Sequence, residues 1–167
     1  MPVFDYRQIG TGSLIAEDFY VQNVTLGNES KIIKAQSLKS FRMKNNIFSK
    51  VQPRQLSDTT TKLIELSSLV ITDQLNYTIE DIYIEQSALG FIELLGVSSS
   101  LSLSSNFIIQ NFTYAHSKIE FPHDLISFIR VETSNDFQIS LSDINMLNIT
   151  FSRYGNLMNY EHQTYSE

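Results

Sequence analysis

FIIQNFTY (107–114) reads as two short strands that do not share a phase. Alternation places Phe107 and Ile109 on one face, and would send Phe112 to the other. For Phe112 to rejoin that face the chain must bend at Asn111. Asn and Asp tolerate the left-handed backbone better than other residues with a Cβ, and their side chains satisfy nearby backbone groups. The same eight-position template recurs in FYVQNVTL (19–26), FRMKNNIF (41–48), YTIEDIYI (77–84) and INMLNITF (144–151). Its fifth position is Asn23, Asn45, Asp81, Asn111 and Asn148, and the one apolar slot that breaks is Asn46.

Working outward, a second series alternates with the first: KIIKAQS (31–37), KLIELSS (62–68), GFIELLG (90–96), SFIRVET (127–133) and NLMNYEH (156–162), with SLIAED (13–18) as a weaker opening copy. Alternation puts Ile33 with Ala35, Ile64 with Leu66, Ile92 with Leu94 and Ile129 with Val131 on one face. Further short apolar stretches lie at 68–74, 99–105 and 137–143. Strands recurring at irregular spacing predict an all-β fold, a parallel β-helix (β-solenoid) of about five to six rungs whose loops vary. A β-sandwich does not explain an amide or acid recurring at one template position. The expected column on one side of the bend is Phe19, Phe41, Tyr77, Phe107 and Ile144. On the other it is Leu26, Phe48, Ile84, Tyr114 and Phe151. The expected organisation is a lead-in at 1–12, a β-helix domain at 13–160 and a tail at 161–167.

With that pattern the chain resembles the pectin-lyase-like superfamily of right-handed parallel β-helices, which carry an asparagine ladder at a tight turn. The resemblance covers roughly 13–160 as a repeat and implies a right-handed fold with Asn23, Asn45, Asp81, Asn111 and Asn148 as the ladder. It does not by itself imply an activity.

Catalytic signatures of that superfamily are not matched. Its hydrolases set carboxyl groups across a scissile bond. Here the adjacent acids are Glu17–Asp18 and Glu80–Asp81, and Asp81 is a ladder position. Arg130 and Arg153 lack the aspartate cluster that accompanies the base of the lyases. His116, His123 and His162 have no metal-ligand spacing, and the expectation is no enzyme, no cofactor and no metal.

In this 167-residue chain only 18% of residues are charged, against about 25% in ordinary globular domains. Polar load carried by uncharged side chains suits stacked strands, in which repeated charges would repel. Lys and Arg number 12 against 18 Asp and Glu, a net charge of −6 with no basic block, which argues against nucleic acid as a partner. Cysteine is absent, excluding disulfides and thiolate metal sites. No apolar run reaches the ~20 residues that span a bilayer.

Five sequons occur, at Asn23, Asn28, Asn76, Asn111 and Asn148. Three coincide with ladder positions, where a side chain bonded inside the turn is closed to a glycan. Asn28 and Asn76 are the candidate glycosylation sites. Neither terminus carries a recognisable cap, so self-association through open ends, or continuation into neighbouring solenoid segments, is the expected partnership. The loops at 49–61 and 115–125 are expected to flank a lateral groove suited to a glycan or a protein. The expectation is a structural protein of the extracellular space or cell surface, a fibre subunit or a segment of a larger filamentous or adhesive protein. Its Asn-rich, cysteine-free character is similar to surface β-helix proteins of single-celled eukaryotes. The alternative is a carbohydrate-binding or polysaccharide-cleaving β-helix.

Overall fold

Residues rich in alternating β-branched and aromatic side chains, and poor in Pro and Gly, form strands almost throughout. The computed structural model describes residues 4–55, 61–67, 75–95, 98–99, 105–119, 124–133, 137–151 and 157–162. The strands are β1 (Phe4–Glu17), β2 (Tyr20–Leu26), β3 (Lys31–Pro53), β4 (Lys62–Ser67), β5 (Asn76–Glu85), β6 (Gly90–Leu95), β7 (Ser98–Ser99), β8 (Ser105–Ala115), β9 (Lys118–Ile119), β10 (Ile126–Thr133), β11 (Phe137–Leu147), β12 (Thr150–Phe151) and β13 (Met158–His162). Every pairing is parallel, and the chain is an all-β solenoid.

Two walls alternate along the chain. In the lead wall Phe4, Ile33, Ile64, Ile92, Ile126 and Met158 occupy successive positions of one column. Ile126, not Ile129, therefore follows Ile92: the sequence alignment of this rung was three residues out. Nor is 13–18 a copy of this series. It pairs with Ser40–Lys44, and the opening lead strand is Phe4–Arg7, within the stretch read as a lead-in.

In the ladder wall Leu14, Phe41, Tyr77, Phe107 and Ile139 form one column, and Val21, Phe48, Ile84, Tyr114 and Met146 another. The central members are as expected. Phe19, Ile144, Leu26 and Phe151 are not in these columns, and each true member lies five residues N-terminal to the residue expected.

About three turns enclose the buried core, against the five to six rungs expected, because the outermost stacked segments are only partly covered. They are built around 31–53, 62–85 and 90–115. The outer copies stack on them and, among the described residues, pair on one side only. Leu14, Phe19, Val21 and Val24 at one end, and Ile139, Ile144, Met146, Ile149 and Phe151 at the other, are only partly buried. A terminal rung has a neighbour on one side only, so its inward side chains are covered from one direction.

Inside the turns, rings step along the axis. Phe41, Tyr77 and Phe107 meet edge to face at centroid separations of 6.4 Å, a favoured aromatic geometry. Phe91 from the lead wall packs on Phe112 from the ladder wall at 4.8 Å, joining the two walls. The buried Tyr77 hydroxyl donates to the Leu38 carbonyl (2.7 Å), and that of Tyr114 donates to Leu89 (2.9 Å). Burial pushes both phenols well above their ordinary range.

Candidate functional site

Each turn bends at two corners, five residues apart, and every corner residue is left-handed. The first corner is Asp18, Asn45, Asp81, Asn111 and Asp143, with φ between 49° and 58°. The second is Asn23, Lys50, Gln86, His116 and Asn148, with φ between 48° and 56°. Register stacks each set, since Glu17–Lys44–Glu80–Gln110–Ser142 immediately precedes the first and Gln22–Ser49–Glu85–Ala115–Leu147 the second.

The ladder read from sequence thus divides. Asn45, Asp81 and Asn111 do stack together, whereas Asn23 and Asn148 belong to the other corner. Both corners carry an inward residue two before and one after the bend, apolar everywhere except at Asn46, Ser87 and Ser117, so the local template does not tell them apart. In the outer rungs the amide sits at the second corner and an aspartate at the first. A search for Asn therefore selected the wrong bend there.

The first ladder alternates carboxylate and amide along its whole length. Asn45 Nδ2 donates to Asp18 Oδ1 (2.6 Å), and Asn111 Nδ2 to Asp81 Oδ1 (2.7 Å). Charge-assisted bonds of this kind are stronger than amide–amide pairs. In the second ladder Asn148 Nδ2 lies 3.4 Å from His116 Nδ1. Both ladders face outward, and Asn23, Asn45, Asp81, Asn111 and Asn148 are all exposed. Exposure removes the steric reason for excluding glycans at Asn23 and Asn148. Asn28 and Asn76 are exposed too, the first donating to Gln55 Oε1 (3.2 Å), the second accepting from Asn106 Nδ2 (3.4 Å).

The interior amide is one that the template treated as a flaw. Asn46 is fully buried, accepts from the Phe19 backbone N–H (2.7 Å) and donates to the Ala16 carbonyl (3.0 Å). These groups flank the first corner of the opening rung, where the strand breaks between β1 and β2. At the second corner Ser87 and Ser117 do related work: Val51 N–H donates to Ser87 Oγ (3.1 Å) and Ser87 N–H to Ser117 Oγ (3.0 Å). A polar residue in an apolar slot was the available signal, because a buried amide persists only when bonded.

Three lateral features remain. Lys31 and Lys34 grip Glu65 (2.9 and 2.7 Å) on the lead wall. Burial raises the Glu65 pKa, but hydrogen bonds and charge from the two lysines outweigh it, leaving the carboxyl below its ordinary range. Glu93 follows Glu65 in register; burial pushes its carboxyl up, and Lys62 and Lys31 only partly offset that. The adjacent acids considered and set aside as catalytic candidates pair across the ladder wall. Glu17 faces Arg42 (3.6 Å), and Glu80 faces Arg42 and Lys44 (3.8 and 3.9 Å) and accepts from Gln110 (2.9 Å). Asp18 and Asp81 are ladder rungs. His116 is a second-corner residue, Arg130 lies in β10 and His162 in β13; His123 and Arg153 lie outside the described residues.

A groove of about 460 Å³ runs beside the second ladder, lined by Asn23, Thr25, Lys50, Gln52 and Gln86. Of the two loops expected to flank a groove, the start of 49–61 contributes Lys50 and Gln52 among the described residues, and 56–60 and 120–123 lie outside them. On the N-terminal side of the second corner Tyr20, Ile47 and Tyr83 stack in one exposed column. No cluster of three or more potential metal ligands occurs among the described residues, and no helix is long and apolar enough to cross a membrane.

The two ends differ. The N-terminal edge is irregular, with register shifts between Arg7 and Ser13 and the strand break at Asp18, and it carries Glu17 and Asp18. β11 at the other end keeps one register with β8 from Phe137 to Leu147, and Asp143 is its sole charge. It exposes Leu141 (37%) and Leu147 (50%), and among the described residues it pairs on one side only.

No protein-family model, curated protein or solved structure matches the chain.

Proposed function

We propose that this chain is a non-catalytic structural solenoid that associates end to end, as a fibre subunit or as a segment of a larger filamentous or adhesive protein. The observation that carries the reading is the two outer rungs, which among the described residues pair on one side only. Half-covered inward residues stand at both ends, among them Leu14 and Val21 at one and Ile139 and Met146 at the other, and outward-facing Ile15 (64% exposed), Tyr20 (61%) and Leu147 (50%) adjoin them. A long, flat, apolar edge invites another strand, because its unpaired N–H and C=O groups gain partners and its apolar side chains leave water. Placement among non-catalytic members of the pectin-lyase-like superfamily, an extracellular or surface location and glycans at exposed sequons belong to the same reading.

The test is association at micromolar to millimolar concentration, followed by negative-stain microscopy and sedimentation. Stacks or fibres that Leu147→Lys abolishes and Lys50→Glu leaves intact support it. A monomer at every concentration, or association indifferent to Leu147, overturns it.

The second reading, glycan binding, is favoured by the amide-lined groove and by the Tyr20–Ile47–Tyr83 column on the N-terminal side of the second corner. Apolar rings suit sugar faces, and neighbouring amides suit hydroxyls. Screening neutral and acidic polysaccharides for binding and cleavage, with and without calcium, decides it. Loss of binding in Tyr83→Ala supports the groove, and no binding to any of them rejects it.

A further inference from the structure

The two corners bend alike but are built differently. All five first-corner residues are Asn or Asp, which tolerate the left-handed backbone. At the second corner the three central positions are Lys50 (φ 56°), Gln86 (φ 49°) and His116 (φ 48°), side chains less suited to that conformation. Two of these, Lys50 and Gln86, line the groove of about 460 Å³ together with Asn23, Thr25 and Gln52, a volume in the range of small-ligand clefts. All five lining side chains are exposed, and among the described residues none of them makes a hydrogen bond or ion pair. Elsewhere such groups are engaged: Asn45 with Asp18, Asn111 with Asp81, Lys31 and Lys34 with Glu65, and Lys44 with Glu80. Glu85, the acid next to this corner, accepts from Ser49 Oγ (2.9 Å) and from the Tyr83 hydroxyl (3.4 Å). Lys50 is thus one positive charge among four neutral hydrogen-bonding side chains, in a chain of net charge −6.

We propose that this groove binds a linear glycan through a sulfate ester, with the sulfate on Lys50 and the sugar chain running along the solenoid axis. This rests on the glycan reading of the groove and names the class of glycan. Asn23, Lys50 and Gln86 stack on successive rungs, so the groove spans two strand spacings, ~9.5 Å, along the axis. Hydroxyls of the sugars on either side meet the amides of Asn23, Gln52 and Gln86 and the Thr25 hydroxyl, each of which both donates and accepts. The single negative charge of a sulfate ester balances the one ammonium. Its three terminal oxygens accept from donors that approach from neighbouring rungs. A planar carboxylate is matched better by a guanidinium fork, and none of the described lining residues is Arg.

Isothermal titration calorimetry of the intact protein compares a sulfated galactan oligosaccharide, the same oligosaccharide desulfated, and an oligogalacturonate. The sulfated chain is expected to bind about ten- to a hundredfold more tightly than the other two, the contribution of one charge-assisted hydrogen bond. Lys50→Asn is expected to abolish that margin while raising the urea midpoint, since Asn suits the left-handed corner better than Lys. Gln86→Glu, which sets a carboxylate beside the ammonium, is expected to weaken the sulfated chain by a similar factor. Sulfate-dependent binding that survives both substitutions would overturn the site. Equal binding of the sulfated and desulfated chains, or a preference for the uronate, would overturn the sulfate assignment and leave the glycan reading standing. No binding of any of the three would remove both.

Discussion

Replacing Asn111 separates the two contributions that a ladder residue makes. Its backbone sits at φ 49°, and its amide donates to Asp81 at 2.7 Å. A leucine there meets the left-handed penalty of about 1–2 kcal/mol. It also forfeits a solvent-exposed, charge-assisted bond whose net contribution is about 0.5–1 kcal/mol. Asn111→Leu is therefore expected to lose about 2–3 kcal/mol, a fall in Tm of about 4–10 °C for a chain of this size. Asn111→Gly loses the same bond but takes φ > 0 without strain, and should cost about 1 kcal/mol including its greater unfolded-state entropy. Asn111→Asp keeps most of the backbone tolerance but sets three carboxylates in a row, so its deficit should shrink below about pH 4, as carboxylates protonate. Urea unfolding followed by far-UV circular dichroism at pH 7 and pH 3.5 measures all three. Equal losses for Leu and Gly would refute the backbone argument. A pH-independent Asp variant would refute the stacked carboxylates.

Asn46→Leu leaves the Phe19 N–H and the Ala16 carbonyl without their buried partner. It is expected to cost about 2–4 kcal/mol, with hydrogen exchange at Phe19 accelerated beyond the global change. Gly90→Ala sets a Cβ 2.5 Å from the Asp124 carbonyl oxygen and 3.0 Å from Lys62 Cδ, and should destabilise by about 1–3 kcal/mol, read from the urea midpoint. Glu65 and Glu93 should respond to pH in opposite senses. Glu65, with its pKa lowered, contributes stability present above the unfolded-state pKa and lost as pH falls through the folded one, so Glu65→Gln weakens the fold at pH 7 but little at pH 3. Glu93, with its pKa raised, contributes stability complete below the unfolded-state pKa and lost as pH rises through the folded one. Glu93→Gln should therefore stabilise at pH 7 and be neutral at pH 3, and a pH series of urea midpoints that fails to diverge rejects the assignment.

What the sequence by itself determined is local. Alternation broken by a phase slip at Asn45, Asp81 and Asn111 required bends between short strands, and its recurrence required a solenoid. Apolar residues four before and three after each of these bends identified the core columns of the central rungs, Phe41–Tyr77–Phe107 and Phe48–Ile84–Tyr114. What only the tertiary structure decided is which bend stacks on which. Two corners with the same apolar flanks look alike along one strand, and pairing energy is gained between strands far apart in the chain. Register is therefore a property of the whole stack. Hence Asn23 and Asn148 moved to the second ladder, while Asp18 and Asp143 entered the first. Lys50, Gln86 and His116, chemically unlike one another, became a column because backbone curvature, not side-chain type, defines that corner. Asn46 changed from a flaw in a template to the amide that holds the opening corner, since only the neighbouring rung supplies the Ala16 carbonyl and the Phe19 N–H.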